Sequence, residues 1–366
     1  MNLIELHIIQ SFPVTCLNRD DLGSPKSAYF GGVERARVSS QCWKRATREY
    51  AHESAPALFA GVRSKLVGPA LVKAATNLGI PDARACAYAK IIVSSLGKGK
   101  TLDEVATLLY FSPDTMKKTV LMLNDGGKIT DEMVFTINDS DEKTSEKALK
   151  KAVEAAKGIL KGLGESVSDA ADIALFGRMV ADDASQTVEG AAMFSHALST
   201  HAVRSDVDFF SAVDDLKKDA EDSGAGHIGT TEFNSACYYR YVGINLDLLK
   251  QSRLFDQSEL KAVLENFIRA VVMANPVARR NAMFGNTLPS CVMGLRRKGQ
   301  PLSLANAFEA PVKGRSGMVA ESVKAMKDEW ESMKSTFGLV ETARVDVEKG
   351  GKTLDDLVKE LTDGVE

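Results

Sequence analysis

MNLIELHIIQSF, residues 1–12, places Ile4, Leu6 and Ile8 in alternation with Glu5 and His7. Successive side chains of a strand point to opposite faces, so this period of two predicts a half-buried β-strand with Glu5 and His7 on its polar side. Glu5 interrupts the hydrophobic run and no basic segment precedes it, so the stretch reads as neither a signal peptide nor a membrane anchor.

Outward from this strand, the segment from Ser11 to Val38 holds LNRDD, Pro25 and Gly31-Gly32 and reads as a long polar loop. Ser39 or Ser40 then caps a helix beginning QCWKRATREY, whose spacing puts Gln41, Lys44, Arg45 and Arg48 on one face and Trp43, Ala46 and Tyr50 on the other. Residues 58–178 read as mostly helical, with a turn at NDGGK (124–128) and a clean amphipathic helix in EKTSEKALKKAVEAAKGILKG (142–162). Lys143, Lys147, Lys150, Lys157 and Lys161 gather on one side of that helix, opposite Leu149, Ala152, Val153 and Ala156. Strands return in GAAMFSHALSTHAV (190–203, strand or mixed), in an irregular hairpin ending in the strong strand SACYYRYVGI (235–244), and in SCVMGLR (290–296). Helices are expected at 257–274 and 318–336, followed by an acidic tail. A strand, a long helical block and then strands again predict an α+β fold with a large helical insertion.

With 46 basic and 49 acidic side chains among 366 residues, the chain is not globally basic. A local basic surface remains open, and Arg19 to Arg48 supplies one: seven basic side chains against three acidic. The five cysteines, Cys16, Cys42, Cys86, Cys237 and Cys291, contain no CxxC pair, which argues against zinc ribbons and disulfide frameworks and for reduced thiols in a cytoplasmic protein. No phosphate loop is present: LGKGKT (96–101) lacks the glycine spacing, and no helix pattern follows GAGHIG (224–229). His196 and His201, five apart, fall on different faces of either a helix or a strand and do not make a shared metal site. Asp206 and Asp208 would share a strand face as the carboxylates of a magnesium nuclease do, but the acidity continues through Asp214, Asp215 and Asp219, as in a solvated loop. Asp20-Asp21 reads as a turn held by local hydrogen bonds. No catalytic residue, metal or cofactor is expected. A serine-capped helix start, by contrast, offers free N–H groups and a positive dipole end to an anion, with Lys44, Arg45 and Arg48 beside it and Arg19, Lys26, Arg35 and Arg37 entering from the preceding segment. The bland alternative is a solvated helix face, and the same alternative applies to the lysine stripe.

LNRDD, FGGVERARVSSQCWKRATR, DIALFGRM (172–179), SHALSTHAVRSDVDFFSAVDDL (195–216), HIGTTEF (227–233), YYRYVGINL (238–246) and PLSLANAFE (301–309) occur in that order. Together they resemble the guide-RNA-binding backbone subunit (CasC family) of type I-E CRISPR Cascade surveillance complexes. The resemblance implies an RRM-like (ferredoxin-like) palm, a large helical fingers insertion and a β-hairpin thumb. The implied bounds are palm at 1–57, fingers at 58–178, palm at 179–202, thumb at 203–238 and palm at 239–366. It implies a protein that is not itself a nuclease, whose partners are CRISPR RNA, target DNA, copies of itself along the RNA and other Cascade subunits, with no membrane. Carried over by motif, the RNA contacts are Arg19, Lys26, Ser39, Gln41, Lys44, Arg45, Arg48, Arg178, Met179, Ser211 and Ile228. Lys150, Lys151 and Lys157 match a surface that holds duplex DNA. The acidic stretch KKDAEDSGAG (217–226) is longer than the usual thumb, and the first strand lacks the aromatic pair with which an RRM stacks bases. Such a subunit accepts any guide sequence, so it should grip phosphate and sugar and leave sequence reading to base pairing. The alternatives are a metal-dependent ribonuclease of the type III backbone kind, using acids such as Asp206 and Asp208, and a scaffold that contacts only protein.

Overall fold

A computed structural model of the chain describes residues 1–97, 101, 103–160, 170–178, 187–212, 227–252 and 256–365. The first elements are β1 (Asn2–Thr15), β2 (Ser27–Phe30), β3 (Val33–Val38) and α1 (Ser40–Ser54). Then come β4 (Val62–Leu66), α2 (Gly68–Asn77), α3 (Asp82–Ser95), β5 (Glu104–Phe111), α4 (Pro113–Asp125), α5 (Asp131–Ile137), α6 (Glu142–Leu160) and α7 (Ala171–Phe176). The remainder holds β6 (Ala192–Phe194), β7 (Ala197–Ser199), β8 (Asp206–Ala212), β9 (His227–Asn245), α8 (Leu246–Gln251) and α9 (Leu260–Met273). It closes with β10 (Cys291–Lys298), α10 (Met318–Phe337), β11 (Glu341–Glu348) and α11 (Leu354–Thr362). The α+β class holds. The described residues divide into two compact units, one of Met1–Ser54, Ala192–Asp247 and Leu264–Val365, the other of Ala55–Ala191 and Leu248–Val263.

The first unit is built on a nine-stranded sheet of order β11-β10-β1-β9-β7-β3-β2, with β6 and β8 also pairing to β9. β1 is central, antiparallel to both β9 and β10. Ile8 and Phe12 share one face with Tyr238 and Arg240 of β9, and Trp43 of α1 is buried with Phe12 and Tyr238. On the other face lie Ile9, Tyr239, Tyr241 and Met293, packed against Met326 and Trp330 of α10.

Glu5 and His7 therefore do not face water, as the alternation suggested: both are fully buried. Glu5 is satisfied internally, whereas His7 Nε2 is buried with no hydrogen-bond partner among the described residues. Glu5 is paired with Arg297 of β10 and accepts the Tyr241 hydroxyl at 2.7 Å and the Leu302 N–H at 2.9 Å. Tyr239 Oη accepts the Leu304 N–H at 2.8 Å and shares a hydrogen bond with His7 Nδ1 at 3.0 Å. This network seats the PLSLANAF segment against the sheet.

The expected loop from Ser11 to Val38 is mostly strand. β1 runs to Thr15, and β2 and β3 form a hairpin across Gly31 and Gly32, whose φ values of +59° and +75° suit the two-residue turn that matches strand twist. A Cβ at Gly31 would lie 1.7 Å from the Glu309 carbonyl oxygen, so the backbone approach also requires glycine. The acidic tail is ordered too. β11 pairs with β10, and α11, started by a Thr353–Asp356 capping box, lays Leu357 and Leu361 over the bare Cα of Gly294.

The second unit buries Leu71, Tyr88, Ile92, Val120, Leu123 and Leu149 of α2, α3, α4 and α6 in one cluster. The sequence reading missed its two-stranded sheet, in which β4 and β5 pair from Val62↔Phe111. Asp172 of α7 accepts the Tyr110 hydroxyl at 2.6 Å and the Gly61 N–H at 3.2 Å, fixing α7 to β5. The NDGGK turn separates α4 from α5 as expected.

Candidate nucleic-acid interface

The N-terminus of α1 is the best-built polar site. Ser39 is its cap: the Ser39 Oγ accepts the Cys42 N–H at 3.3 Å, and the Ser39 N–H is held by Asn18 Oδ1 at 2.9 Å. The next free N–H, that of Ser40, donates to His196 Nδ1 at 3.0 Å. His196 is held neutral, its pKa lowered by burial and then by the charges of Arg37 and Lys26. Both cations therefore act on His196 beside the helix start, and Arg37 Nε donates to the Ser27 carbonyl at 3.2 Å. Lys26 is positioned by backbone bonds in both directions, Lys26 N–H to Asn18 and Arg37 N–H to Lys26.

Along the outer face, Gln41 and Arg45 are exposed while Lys44 and Arg48 are half-buried. Lys44 Nζ sits 5.7 Å from the Phe194 ring centroid. Arg45 pairs with Glu49 at 2.7 Å, a surface contact that raises its pKa through the hydrogen bond and is worth little to stability. Trp43 is buried as the wheel required, and Tyr50 is half-buried.

Arg35 does not join this surface. It is buried, and its guanidinium donates to the carbonyls of Phe30, Ser199, Phe308 and Glu309 at 2.8–3.2 Å. The guanidinium fork replaces a missing strand neighbour, tying the β2–β3 hairpin to the rest of the unit.

Arg19 is exposed on the rim of an open recess of about 640 Å³ shared with Asp21, Leu22 and Arg279. Asp20 Oδ1 accepts the N–H groups of Leu22 and Ser24, each at 2.9 Å, the local turn expected of this pair.

β8 and the first seven residues of β9 form a regular two-stranded ribbon, with Ser211 opposite Ile228. All seven residues of β8 are exposed. The register puts Val207, Phe209 and Ser211 on the same face as Ile228, and Val207, Phe209 and Ile228 are 66%, 64% and 57% exposed. Ile228 is thus one of three exposed apolar side chains on this face. The clue was the alternation in SDVDFFS, but without the register its apolar residues could not be assigned to the Ile228 face. Asp206 and Asp208 share the opposite face. No group of three or more His, Cys, Asp or Glu side chains among the described residues is placed to hold a metal.

In the second unit, Lys143, Lys147, Lys150 and Lys151 of α6 are exposed, and Leu149, Ala152 and Ala156 are buried on the helix's other side. Lys157 lies in α6, but its side chain is outside the described residues, as are Met179, Lys161 and the KKDAEDSGAG segment. Arg178 pairs in a β-bridge with Val188 and donates to the Tyr110 carbonyl at 3.4 Å. No described helix is long and apolar enough to cross a membrane.

Two solved structures are similar over nearly the whole chain. A chain of a "CRISPR RNA-guided surveillance complex, pre-nicking" is 29% identical, with a TM-score of 0.78 over 97% of this chain and 95% of that one. A chain of a "CRISPR RNA-guided surveillance complex" is 25% identical, with a TM-score of 0.58 over 97% of this chain and 92% of that one. No curated protein sequence matches. The profile of the CT1975-like protein family matches residues 4–363, so the chain belongs to that family, in agreement with its motif resemblance to Cascade backbone subunits.

Proposed function

We propose that this protein is the repeated backbone subunit of a type I-E Cascade complex, binding CRISPR RNA without regard to sequence and presenting it for pairing with target DNA. The observation that carries the reading is the α1 start, where Ser39 caps the helix, Lys26 and Arg37 act on the neighbouring His196, and Lys44, Arg45 and Arg48 continue along one helix face. Those groups recognise phosphate, which every nucleotide carries. Similarity to chains of CRISPR RNA-guided surveillance complexes supports the choice of RNA.

In this reading the first unit is the palm, of the RRM-like kind, and the β8–β9 ribbon is its thumb. The thumb's apolar face, with Ile228 near the described end, unstacks the RNA at one step per subunit, at a cost of a few kcal/mol that added contacts offset. The second unit is the fingers, whose α6 lysines lie along duplex DNA. The subunit carries no nuclease activity of its own and associates with copies of itself and with other Cascade subunits.

The test is the Lys44→Glu, Arg48→Glu double variant, both positions lying on the polar face of α1. It should fold and lose co-purifying RNA. With milder Lys44→Gln, Arg48→Gln changes, removal of two phosphate contacts should lower the salt slope of single-stranded RNA binding by about 1.4. Full RNA load on the charge-reversed variant at moderate salt would place the groove elsewhere.

A further inference from the structure

Arg240, in the middle of β9, is 2% exposed and lies directly beneath the candidate RNA helix. Its Cζ sits 4.0 Å from the Trp43 ring centroid, and Nη1 donates to the Val271 carbonyl at 2.9 Å. Nε and Nη2 have no hydrogen-bond partner. Buried arginines elsewhere in this unit are compensated: Arg297 by Glu5, Arg35 by four carbonyls. Arg240 has no carboxylate. Desolvation alone lowers its pKa, to about 9, so it remains a cation at neutral pH. The layer under α1 is rich in unmet donors besides, since Trp43 Nε1 is also buried without a partner.

An unpaired buried charge is destabilising, and the Trp43 face offsets only part of that cost. Replacing such a group by an apolar one of similar volume is often neutral or stabilising, so some other gain should accompany this one. Across α1 from Arg240 lies the face that carries Lys44, Arg45 and Arg48. We propose that Arg240 is a positioning residue for anion binding, a fixed positive charge sealed beneath α1 whose counter-charge is the RNA phosphate on the outer face. This rests on the RNA-binding reading above and deepens it: Arg240 never touches the phosphate but biases the whole α1 surface toward one. With a helix about 10 Å across, the 4.0 Å from ring to guanidinium and about 3 Å to a bound phosphate, the charges lie roughly 17 Å apart, and Coulomb's law at surface to bulk dielectric predicts an affinity gain of roughly 1.5- to 5-fold.

The experiment compares parent, Arg240→Met and Arg240→Lys as full chains, using a mixed-sequence single-stranded RNA oligonucleotide in fluorescence anisotropy across a salt series. Thermal melting without RNA is measured alongside. Arg240→Met should melt no lower than the parent yet bind RNA about 1.5- to 5-fold more weakly at low salt. The deficit should shrink as salt is raised, because a charge this far from the phosphate is screened, while the salt slope falls by well under the roughly 0.7 of one lost phosphate contact. Arg240→Lys, read at about pH 6 so that a buried ammonium stays protonated, should bind more tightly than Arg240→Met. Equal affinity of parent and Arg240→Met at low salt overturns the inference, and so does a slope lowered by about 0.7, which would make Arg240 a contact residue. If Arg240→Met does not fold, Arg240→Gln takes its place; failure of both to fold assigns Arg240 to structure and also overturns the inference. If the parent itself binds no RNA, the reading it rests on fails first, and the two failures are thereby distinguished.

Discussion

His7 offers a measurement with a defined sign. It is fully buried at the centre of β1, facing Tyr239 and Tyr241 of β9, Glu5 of its own strand, Arg297 of β10 and Trp330 of α10. Burial first, and the Arg297 charge second, lower its pKa from 6.5 to about 3. Geometry agrees, because Nε2 is buried without a hydrogen-bond partner among the described residues, so an imidazolium would hold one N–H with no acceptor. In the unfolded chain His7 takes up a proton near pH 6.5; in the folded protein it does so only near 3. Between those values the unfolded state binds more protons, so the stability present above pH 6.5 is lost as the pH falls toward 3. From pH 7 to pH 5 the loss attributable to His7 is about 2 kcal/mol. The assay is urea unfolding followed by tryptophan fluorescence, since Trp43 and Trp330, both in the first unit, are the only tryptophans. The comparison is His7→Gln, which keeps an acceptor for Tyr239 and removes the titration. The variant will be less stable at pH 7, but its further loss on going to pH 5 should be smaller than the parent's by about 2 kcal/mol. Equal losses would show that His7 charges in the folded state, and the network drawn around it would be wrong.

Two further outcomes test the proposed division of labour. Lys150→Gln, Lys151→Gln and Lys157→Gln together should weaken binding of the assembled complex to duplex DNA and reduce its salt slope by up to about 2.7, while guide RNA stays bound; equal loss of RNA and DNA would refute separate surfaces. Ile228→Gly, at a position 57% exposed, should leave the free subunit folded but make mismatches at displaced target positions costly, on the scale of the roughly 1.4 kcal/mol stacking of a base step. Unchanged periodic tolerance in that variant, with loss of it in Phe209→Gly, would assign the wedge to Phe209.

The fold was legible where one periodicity held over many residues. β9, α9 and α10 follow from their apolar spacing, and the α+β class follows from their order around the helical block. It was not legible where burial and polarity parted company. Glu5, His7, Arg35 and Arg240 look like surface residues in sequence and are interior in the structure, each at 0–2% exposure. A strand buried on both faces can carry polar side chains if long-range partners satisfy them, and Arg297, Tyr239 and Tyr241 lie more than 230 residues from the β1 side chains they meet. No window of sequence contains both halves of such a pair. The same reasoning explains the β2–β3 hairpin: its arginine-rich strand reads as a loop until the carbonyls that receive Arg35 are known.

The site divides along the same line. Gln41, Lys44, Arg45 and Arg48 share a face because helical spacing is local, so sequence alone could group them. Asn18, which holds the Ser39 N–H, and His196, which holds the Ser40 N–H, come from elsewhere in the chain, and His196 had been weighed only as a metal ligand. Phe209 and Val207 were hidden for want of a register, since only the pairing of Ser211 with Ile228 puts them on one face. A chain with a net charge of −3 can present a phosphate surface because its sign is set locally. Arg35, which faces inward, is bound to carbonyls, and Arg240, beneath the helix, has no carboxylate partner among the described residues. Net charge over the whole sequence therefore carries little information about nucleic-acid binding in this fold. What carries it is where the cations are gathered, and on which side of one helix they lie.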